Sequence, residues 1–251
     1  RDPLGDFVFN RWRDSYLAET KLAGAAPDRE LVIGLPEVEK QAVCVERADD
    51  GQCYFVVHDF PVASAPPPAP PAPKHVVIFW DASGSRAGSD HGREMGLLAA
   101  YFASLKGLSQ PVKVDLVLFR HCREEPERFV LAGGDADPLL AALNDIAYDG
   151  ATRMAAIGPL EGDKPDLYLL FSDGRSTLGA EELPALKAPL YAFSADPRAN
   201  HALLHHLAAR SGGRYFPLAA AHDAQVVPEI GRPAYCLLWA AVDGGQAADL
   251  Y

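Results

Sequence analysis

The sequence predicts an α/β protein with a doubly wound, mostly parallel sheet, attached to or inserted in a smaller antiparallel β-domain. Three features predict this: continuous apolar runs typical of buried strands, helical segments that alternate with those runs, and a proline-rich boundary ahead of them. Strands that alternate with helices form βαβ crossovers, which produce a parallel sheet. The 251 residues are enough for one large domain, or for one domain with a smaller companion.

The N-terminal part, residues 1–62, is predicted to form the first part of the β-rich domain. Its β-branched and aromatic runs are separated by glycine, by proline and by a turn at Asp50-Gly51. A sheet of this size has a marginal core when it is alone, so we expect it to pack on another part of the chain. The runs are residues 7–9, 31–33, 43–45 and 54–57.

A linker is predicted at residues 63–74, because six of the eight residues from 66 to 73 are prolines. Residues 75–228 are then predicted to form the α/β domain. Pro138 suits the first turn of a helix, and Gly212-Gly213 suits the end of another. Strands are predicted at 76–80, 114–119, 129–131, 167–171, 190–193 and 215–216, with helices at about 93–105, 137–146 and 200–209.

The final segment, residues 229–251, breaks this alternation. Residues 235–242 form an apolar run that resembles the N-terminal strands more than the α/β region. We therefore predict that the segment returns to the β-rich domain, which makes the α/β domain an insertion. Because the chain starts at Arg1 without a methionine, we also expect the parent protein to begin upstream.

Composition excludes several classes of function. The formal charge of −11 argues against nucleic-acid binding, which needs clustered lysine and arginine. No apolar run approaches the roughly 18–20 residues that span a bilayer. The four cysteines include no CxxC pair, which argues against a zinc ribbon. Cys44 and Cys53 flank the Asp50-Gly51 turn, and this spacing is compatible with a disulfide or with two buried free thiols.

Polar side chains follow two of the predicted buried strands, at the sheet edge where ligands bind in doubly wound folds. Asp81, Ser83 and Ser85 form a DxSxS string after the first strand, and Asp173 stands in a Ser-Asp-Gly turn after a later one. Thr152 lies between them in the chain. These residues could simply cap helices and close turns, since each piece is common alone. Together they are a set of hard oxygen donors, which suits Mg²⁺, with Mn²⁺ or Ca²⁺ as alternatives.

This combination resembles the von Willebrand factor A (vWA) domain family. That family's metal-ion-dependent adhesion site (MIDAS) consists of a DxSxS loop, a later threonine and a later (T/S)DG aspartate. The resemblance covers about residues 75–220 and implies a Rossmann-like fold. It also implies that the hydroxyls bind the ion directly and the carboxylates partly through water, which leaves a position open to a partner's carboxylate. The implied metal ligands are Asp81, Ser83, Ser85, Thr152 and Asp173.

A second resemblance lies in the β-rich flank and the proline stretch. They are similar to bacterial proteins that join a vault/inter-α-trypsin (VIT) domain to a vWA domain, which implies an extracytoplasmic or cell-envelope location. The chain departs from the family pattern in three places. Arg86 stands where methionine is frequent, Ala151 replaces the second glycine of a frequent GGT, and the interval from Thr152 to Asp173 has room only for a shortened helix.

The leading hypothesis is therefore a monomeric, metal-dependent protein-binding or adhesion module whose partner offers Asp or Glu to the ion. The net negative charge predicts slow association with an acidic partner at low salt. The alternative is a structural scaffold in which the ion only stabilises the fold.

An enzyme is a weaker hypothesis, because the chain has no GxSxG elbow, Walker loop or GxGxxG motif. His201 and His205 have zinc-compatible spacing but lack the glutamate of HExxH, so we interpret them as part of a half-exposed helix face. The charged run from Arg123 to Arg128 is interpreted as a solvated loop.

Overall fold

The structure is a computed structural model, and the chain in it forms two compact units, Arg1–Pro67 and Pro68–Tyr251. The residues that the structure describes are 10–12, 15–17, 41–49, 51–59, 70–162, 164–179, 185–232, 241–242 and 245–246.

The described residues of the first unit form two antiparallel strand pairs. Strand β1 (Asn10–Trp12) pairs with β2 (Ser15–Leu17), and β3 (Gln41–Arg47) pairs with β4 (Cys53–Asp59). The predicted strand runs at 43–45 and 54–57 are confirmed, because they lie inside β3 and β4. The predicted runs at 7–9 and 31–33 lie outside the described residues.

The register of β3 and β4 separates the two cysteines of this unit. Cys44 lies opposite Val56, and Cys53 lies opposite Arg47. Since side chains alternate between the faces of a strand, the two thiols point to opposite faces of the strand pair. Both cysteines are free and exposed. Of the two alternatives from sequence, the disulfide is therefore wrong, and the free thiols are not buried.

The second unit contains a six-stranded sheet with the order β7-β6-β5-β8-β9-β10, in which the edge strand β7 is antiparallel and all other pairs are parallel. This is the 3-2-1-4-5-6 order of a doubly wound sheet, so the predicted fold class is confirmed. The strands are β5 (His75–Asp81), β6 (Val112–Phe119), β7 (Glu127–Leu131), β8 (Leu167–Phe171), β9 (Leu190–Ser194) and β10 (Tyr215–Pro217). The helices are α1 (His91–Ser104), α2 (Asp137–Asn144), α3 (His201–Arg210) and α4 (Asp223–Val226).

The central strand β5 is buried on both faces, as its continuous apolar run predicts. Val76, Ile78 and Trp80 belong to the core cluster that α1, α2 and α4 cover. Val77 and Phe79 belong to the cluster on the opposite face, which α3 covers. Helices on both faces hold β5 in the middle of the unit. Its carboxyl end is thereby fixed at the centre of one edge of the sheet.

Local sequence accounts for where the helices begin. The Asp90 carboxylate accepts a hydrogen bond from Arg93 N at 2.9 Å, and Asn200 Oδ1 accepts one from Leu203 N at 3.1 Å. These side chains satisfy backbone N–H groups that have no partner inside the first helical turn. Pro138 stands in the first turn of α2, as predicted.

The segment between Thr152 and Asp173 contains even less helix than the shortened helix that the sequence predicts. Its described residues contain the 3₁₀ turn Met154–Ala156 and no α-helix. Met154 is fully buried against the face of the sheet that α3 also covers, so a single turn closes that part of the core.

The C-terminal segment has two short strands in its described residues, β11 (Ala241–Val242) and β12 (Gly245–Gln246), which pair with each other. Residues 233–240 and most of the linker, 63–69, lie outside the described residues. The return of residues 229–251 to the β-rich domain therefore stays a prediction. Within the described part of the chain, every helix is too short or too polar to cross a membrane.

Gly213 lies where the chain leaves α3 and passes the start of β9. A Cβ atom on Gly213 would lie 2.0 Å from Leu190 O, and that carbonyl belongs to the first residue of a paired strand. We expect Gly213→Ala to lower the free energy of unfolding by about 3 kcal/mol in urea titrations, because backbone must move to accept the methyl group.

The matched control is Gly96→Ala, at an exposed position of helix α1, where an added Cβ meets nothing within 4 Å. This substitution should raise the free energy of unfolding by about 0.5–1 kcal/mol through helix propensity. Equal stability of Gly213→Ala and wild type would contradict the close packing of α3 and β9.

Candidate metal centre

Two buried aspartates stand at the carboxyl ends of neighbouring strands. Asp81 is the last residue of β5, and Asp173 follows β8; each is 0% exposed. The strands are paired in register up to Trp80 and Phe171, which places the residue after each at the same sheet edge. Ser172 Oγ donates a hydrogen bond to Asp81 Oδ2 at 2.6 Å, and this bond joins the two strand ends directly.

The DxSxS string forms a tight loop that begins at Asp81 and ends in the 3₁₀ turn Gly84–Arg86. Ser83 N donates to Asp81 Oδ1 at 3.0 Å, and the Ser83 and Ser85 hydroxyl oxygens lie 3.2 Å apart. Ser83 is buried and Ser85 is exposed. The loop therefore groups one carboxylate and two hydroxyls, and its outer side is open to solvent.

Thr152 lies on a second loop that is bonded to both others. Gly84 N donates to Gly150 O at 3.0 Å, which joins this loop to the DxSxS loop. Thr152 N donates to Thr177 Oγ1 at 2.9 Å, and Thr152 O accepts from Leu178 N at 3.0 Å. Thr152 is 1% exposed. All the sequence-predicted ligands thus lie on three loops that hydrogen bonds hold together at one sheet edge.

The close approach of the loops explains one of the glycines. A Cβ on Gly84 would lie 3.2 Å from Gly150 O, so a larger residue between Ser83 and Ser85 would push the threonine loop outwards. Gly150 itself has a φ of 70°, a left-handed conformation that favours glycine. Ala151, the residue that departs from the family pattern, follows that turn.

The electrostatics of the two aspartates differ. Burial raises the pKa of Asp81, and hydrogen bonds from Ser172 and Ser83 and the Arg86 charge only partly offset that rise. Asp173 Oδ1 accepts from Arg175 N at 2.9 Å, whereas Asp173 Oδ2 is buried and has no hydrogen-bond partner among the described residues. An unpartnered buried carboxylate oxygen is unfavourable unless a positive charge or a donor is supplied. The two carboxylates and neighbouring hydroxyls therefore fit a divalent cation.

A buried ion pair that sequence reasoning missed lies behind the DxSxS loop. Arg86 Nη1 donates to Glu94 Oε1 at 2.9 Å and Arg86 Nη2 donates to Glu94 Oε2 at 2.6 Å, with both side chains 0% exposed. Glu94 Oε1 also accepts from Ala195 N at 3.2 Å. Because Arg86 follows Ser85 directly, the pair anchors the loop to α1 and to the residue after β9. The departure at Arg86 was the one sequence signal for it.

An aromatic layer closes the space beside this ion pair. The His91 and Tyr148 rings are stacked, with centroids 4.0 Å apart. His91 Nε2 donates to Arg86 O at 2.8 Å, and Trp80 Nε1 donates to Tyr148 OH at 2.9 Å. The stack therefore connects the core strand β5, the start of α1 and the segment before the threonine loop.

The histidines with zinc-compatible spacing in the sequence lie on α3. His201 and His205 are exposed on α3, as expected for a half-exposed face. His201 Nδ1 and Tyr215 OH lie 2.7 Å apart, and His201 Nε2 donates to Pro197 O at 3.1 Å. The described residues contain no group of three or more His, Cys, Asp or Glu arranged for a metal.

Sequence comparisons find no relative: no family model matches the chain, and no curated protein does. Solved structures are similar in fold. One is an aerotolerance-related membrane protein from Bacteroides fragilis with multiple mutations to serines. It is 14% identical to this chain, with a TM-score of 0.46, and the match covers 63% of this chain and 97% of that chain. A von Willebrand factor type A protein from Catenulispora acidiphila is 16% identical, with a TM-score of 0.42, and the match covers 63% of this chain and 42% of that chain.

A third similar structure is that of proximal thread matrix protein 1 from the mussel byssus, with a zinc-occupied MIDAS motif. It is 11% identical, with a TM-score of 0.40, and the match covers 64% of this chain and 48% of that chain. At such identities a likeness concerns the fold alone. The strand order and register of the sheet, rather than these scores, establish the Rossmann-like fold of the second unit.

The Arg86–Glu94 pair leads to a pH-dependent prediction. Burial raises the pKa of Glu94, but the Arg86 charge and hydrogen bonds from His91, Arg86 and Ala195 N–H outweigh it, so the pKa lies below its ordinary value. The pair therefore stabilises the fold when the pH is above the ordinary pKa of a glutamate. This contribution is lost as the pH falls through the lowered pKa of Glu94. We expect Arg86→Met to lower the free energy of unfolding at pH 7 by about 3–5 kcal/mol, because Glu94 is left as an unpaired buried charge.

The difference in the free energy of unfolding between Arg86→Met and wild type should become smaller as the pH falls from about 7 towards 4. Protonation of Glu94 removes the unpaired buried charge from the variant. The double variant Arg86→Met/Glu94→Leu should recover most of the lost stability at pH 7. A difference that does not depend on pH, with no recovery in the double variant, would contradict the role of the pair.

Proposed function

We propose that the second unit is a divalent-metal-dependent protein-binding module. The observation that carries this proposal is Asp173 Oδ2, a buried carboxylate oxygen with no partner among the described residues, at the same edge as buried Asp81. A structure that buries two carboxylates there, with hydroxyls beside them, is expected to bind a cation. Mg²⁺ or Mn²⁺ suits these hard oxygen donors, with Ca²⁺ as an alternative.

In this proposal two carboxylates and three hydroxyls hold the ion. When bound, the ion supplies a Lewis-acid position that accepts a carboxylate oxygen of the partner. Because Gly84 and Ser85 are exposed, a partner has access from the outer side of the DxSxS loop. The residues that bind are Asp81, Ser83, Ser85, Thr152 and Asp173.

Recognition is better supported than the scaffold alternative. The three loops are already joined by protein hydrogen bonds, among them Ser172 to Asp81 and Gly84 to Gly150, so an ion is not needed to bring them together. Catalysis is also less well supported. The Ser83 and Ser85 hydroxyls contact each other, and no described histidine or lysine lies within hydrogen-bond distance of them.

The wider assignment is part of the same proposal. The resemblance to bacterial VIT–vWA proteins suggests a cell-envelope or extracytoplasmic protein that acts as a monomer on a partner offering Asp or Glu. The adhesion role follows from the open position on the ion rather than from any contact in this chain.

The metal is tested by Asp173→Asn, which removes the unpaired charge and keeps the shape of the side chain. In chelator we expect this variant to be more stable than wild type by about 1–2 kcal/mol, because a neutral amide is less costly to bury than a carboxylate with one unpartnered oxygen. Mn²⁺ at about 100 times its dissociation constant should stabilise wild type by roughly 2.7 kcal/mol and the variant hardly at all. Thermal unfolding and titration calorimetry with Mg²⁺ and Mn²⁺ measure both effects.

The matched control is Asp115→Asn, which makes the same charge change on β6, where Asp115 lies 2.8 Å from His75 Nε2. That variant should lose stability and keep the full response to Mn²⁺. If wild type and Asp173→Asn respond equally to Mn²⁺, or neither responds, the metal centre is wrong.

Partner binding is tested by capture from the native source with Mg²⁺ and with chelator. We expect a protein to be recovered with Mg²⁺ or Mn²⁺, to be lost in chelator, and to be absent when folded Asp173→Asn is the bait. Recovery that is equal in both buffers, together with metal-dependent stabilisation, would favour the scaffold alternative instead.

A further inference from the structure

A basic cleft lies beside the candidate metal centre, and we propose that it binds a second carboxylate of the same partner. The partner would thus be an acidic protein segment rather than a single Asp or Glu side chain. This inference rests on the proposed function, because the first carboxylate is the one that the ion accepts.

The cleft has a volume of about 350 Å³, within the range of ligand-binding pockets. Its polar wall is formed by His121, Cys122, Arg123 and Arg153, and its other wall by small residues between 155 and 159. None of the described residues that line it carries a carboxylate. The polar wall suits an anionic head group, and the small apolar wall suits the methylene stem of an acidic side chain.

The cleft adjoins the metal centre through Arg153, which follows the predicted ligand Thr152 directly. Arg153 N donates to Arg120 O at 2.8 Å, at the carboxyl end of β6. The position of a Cβ on Gly179 lies 3.4 Å from Arg153 Nε, so the arginine side chain packs over the segment that follows Asp173. The cleft and the metal centre therefore share one loop and one sheet edge.

The two arginines of the cleft have no carboxylate partner in the described part of the chain. Arg123 Nη1 donates to Pro159 O at 3.2 Å, which holds the side chain at the cleft while its other N–H groups stay available. Arg120 differs: it pairs with Glu124 and lies 2.8 Å from Asp149. Arg123 is exposed, as its interpretation as part of a solvated loop predicts, although the last two residues of that charged run belong to β7.

Arginine is the side chain best suited to bind a carboxylate with two parallel hydrogen bonds. Two unpaired arginines in one cleft are notable in a chain whose formal charge is −11. They give the site a local positive field, which offsets at short range the repulsion that the net charge predicts for an acidic partner.

The experiment measures binding of fluorescein-labelled hexaglutamate by fluorescence anisotropy, in Mn²⁺ and in chelator. Arg123→Gln and Arg153→Gln should each weaken binding about tenfold in Mn²⁺, as expected for the loss of a charge-assisted hydrogen bond. Arg210→Gln is the matched control, since Arg210 is exposed at the end of α3, next to the opposite edge of the sheet. It should change the affinity less than about twofold.

Cys122 gives a second, local measurement, because its exposed thiol lines the cleft. Bound hexaglutamate should slow the alkylation of Cys122 by iodoacetamide, followed by mass spectrometry. Cys44 and Cys53 are exposed in the other unit and serve as internal standards that the peptide should not protect.

The outcomes separate the inference from the proposed function. Mn²⁺-dependent peptide binding that is equal in wild type and both cleft variants overturns the inference and leaves the metal function standing. Peptide binding that persists in chelator and is lost in both variants supports the cleft and contradicts the metal function. If the protein binds Mn²⁺ but not the peptide, or if inorganic phosphate at matched ionic strength displaces the peptide equally well, the acidic-segment inference is overturned.

Discussion

The burial of two carboxylates at one edge of a parallel sheet is the constraint on which the rest of the second unit depends. Asp81 ends β5 and Asp173 lies two residues beyond β8, and the side chains of both strands fill the core on both faces, so the two carboxyl groups are held in a region without solvent. Ser172 and backbone N–H groups donate hydrogen bonds to these carboxyl groups, whereas Asp173 Oδ2 has no hydrogen-bond partner among the described residues. Metal binding is the simplest chemistry that completes such an arrangement.

Protein hydrogen bonds and one ion pair hold the surrounding loops together. Backbone hydrogen bonds connect the DxSxS loop to the threonine loop, and the Arg86–Glu94 pair fixes the DxSxS loop to α1 from behind. If the proposed ion binds there, loops that are already held together lose little conformational freedom on binding. The same buried pair makes the fold sensitive to acid, because its contribution disappears when Glu94 is protonated.

Charge is distributed unevenly over the molecule. The chain as a whole is acidic, whereas the cleft beside Thr152 presents Arg123 and Arg153 without carboxylate partners in the described residues. A net charge describes long-range repulsion, but the groups within a few ångströms of a ligand dominate its bound state. An acidic segment that reaches both the ion and the cleft is therefore consistent with an acidic protein.

Sequence alone predicted the six strands of the main sheet, the helices α1, α2 and α3, and the edge at which the polar motif stands, because continuous apolar runs, Pro138, Gly212-Gly213 and the DxSxS string are local signals. It left the relation of Cys44 to Cys53 open, and that depended on strand register. It also missed Glu94 as the partner of Arg86, and the shared cleft of Arg123 and Arg153. These depend on which loops meet at the sheet edge, and contacts between residues distant in the chain follow from strand order and packing, which no local pattern encodes.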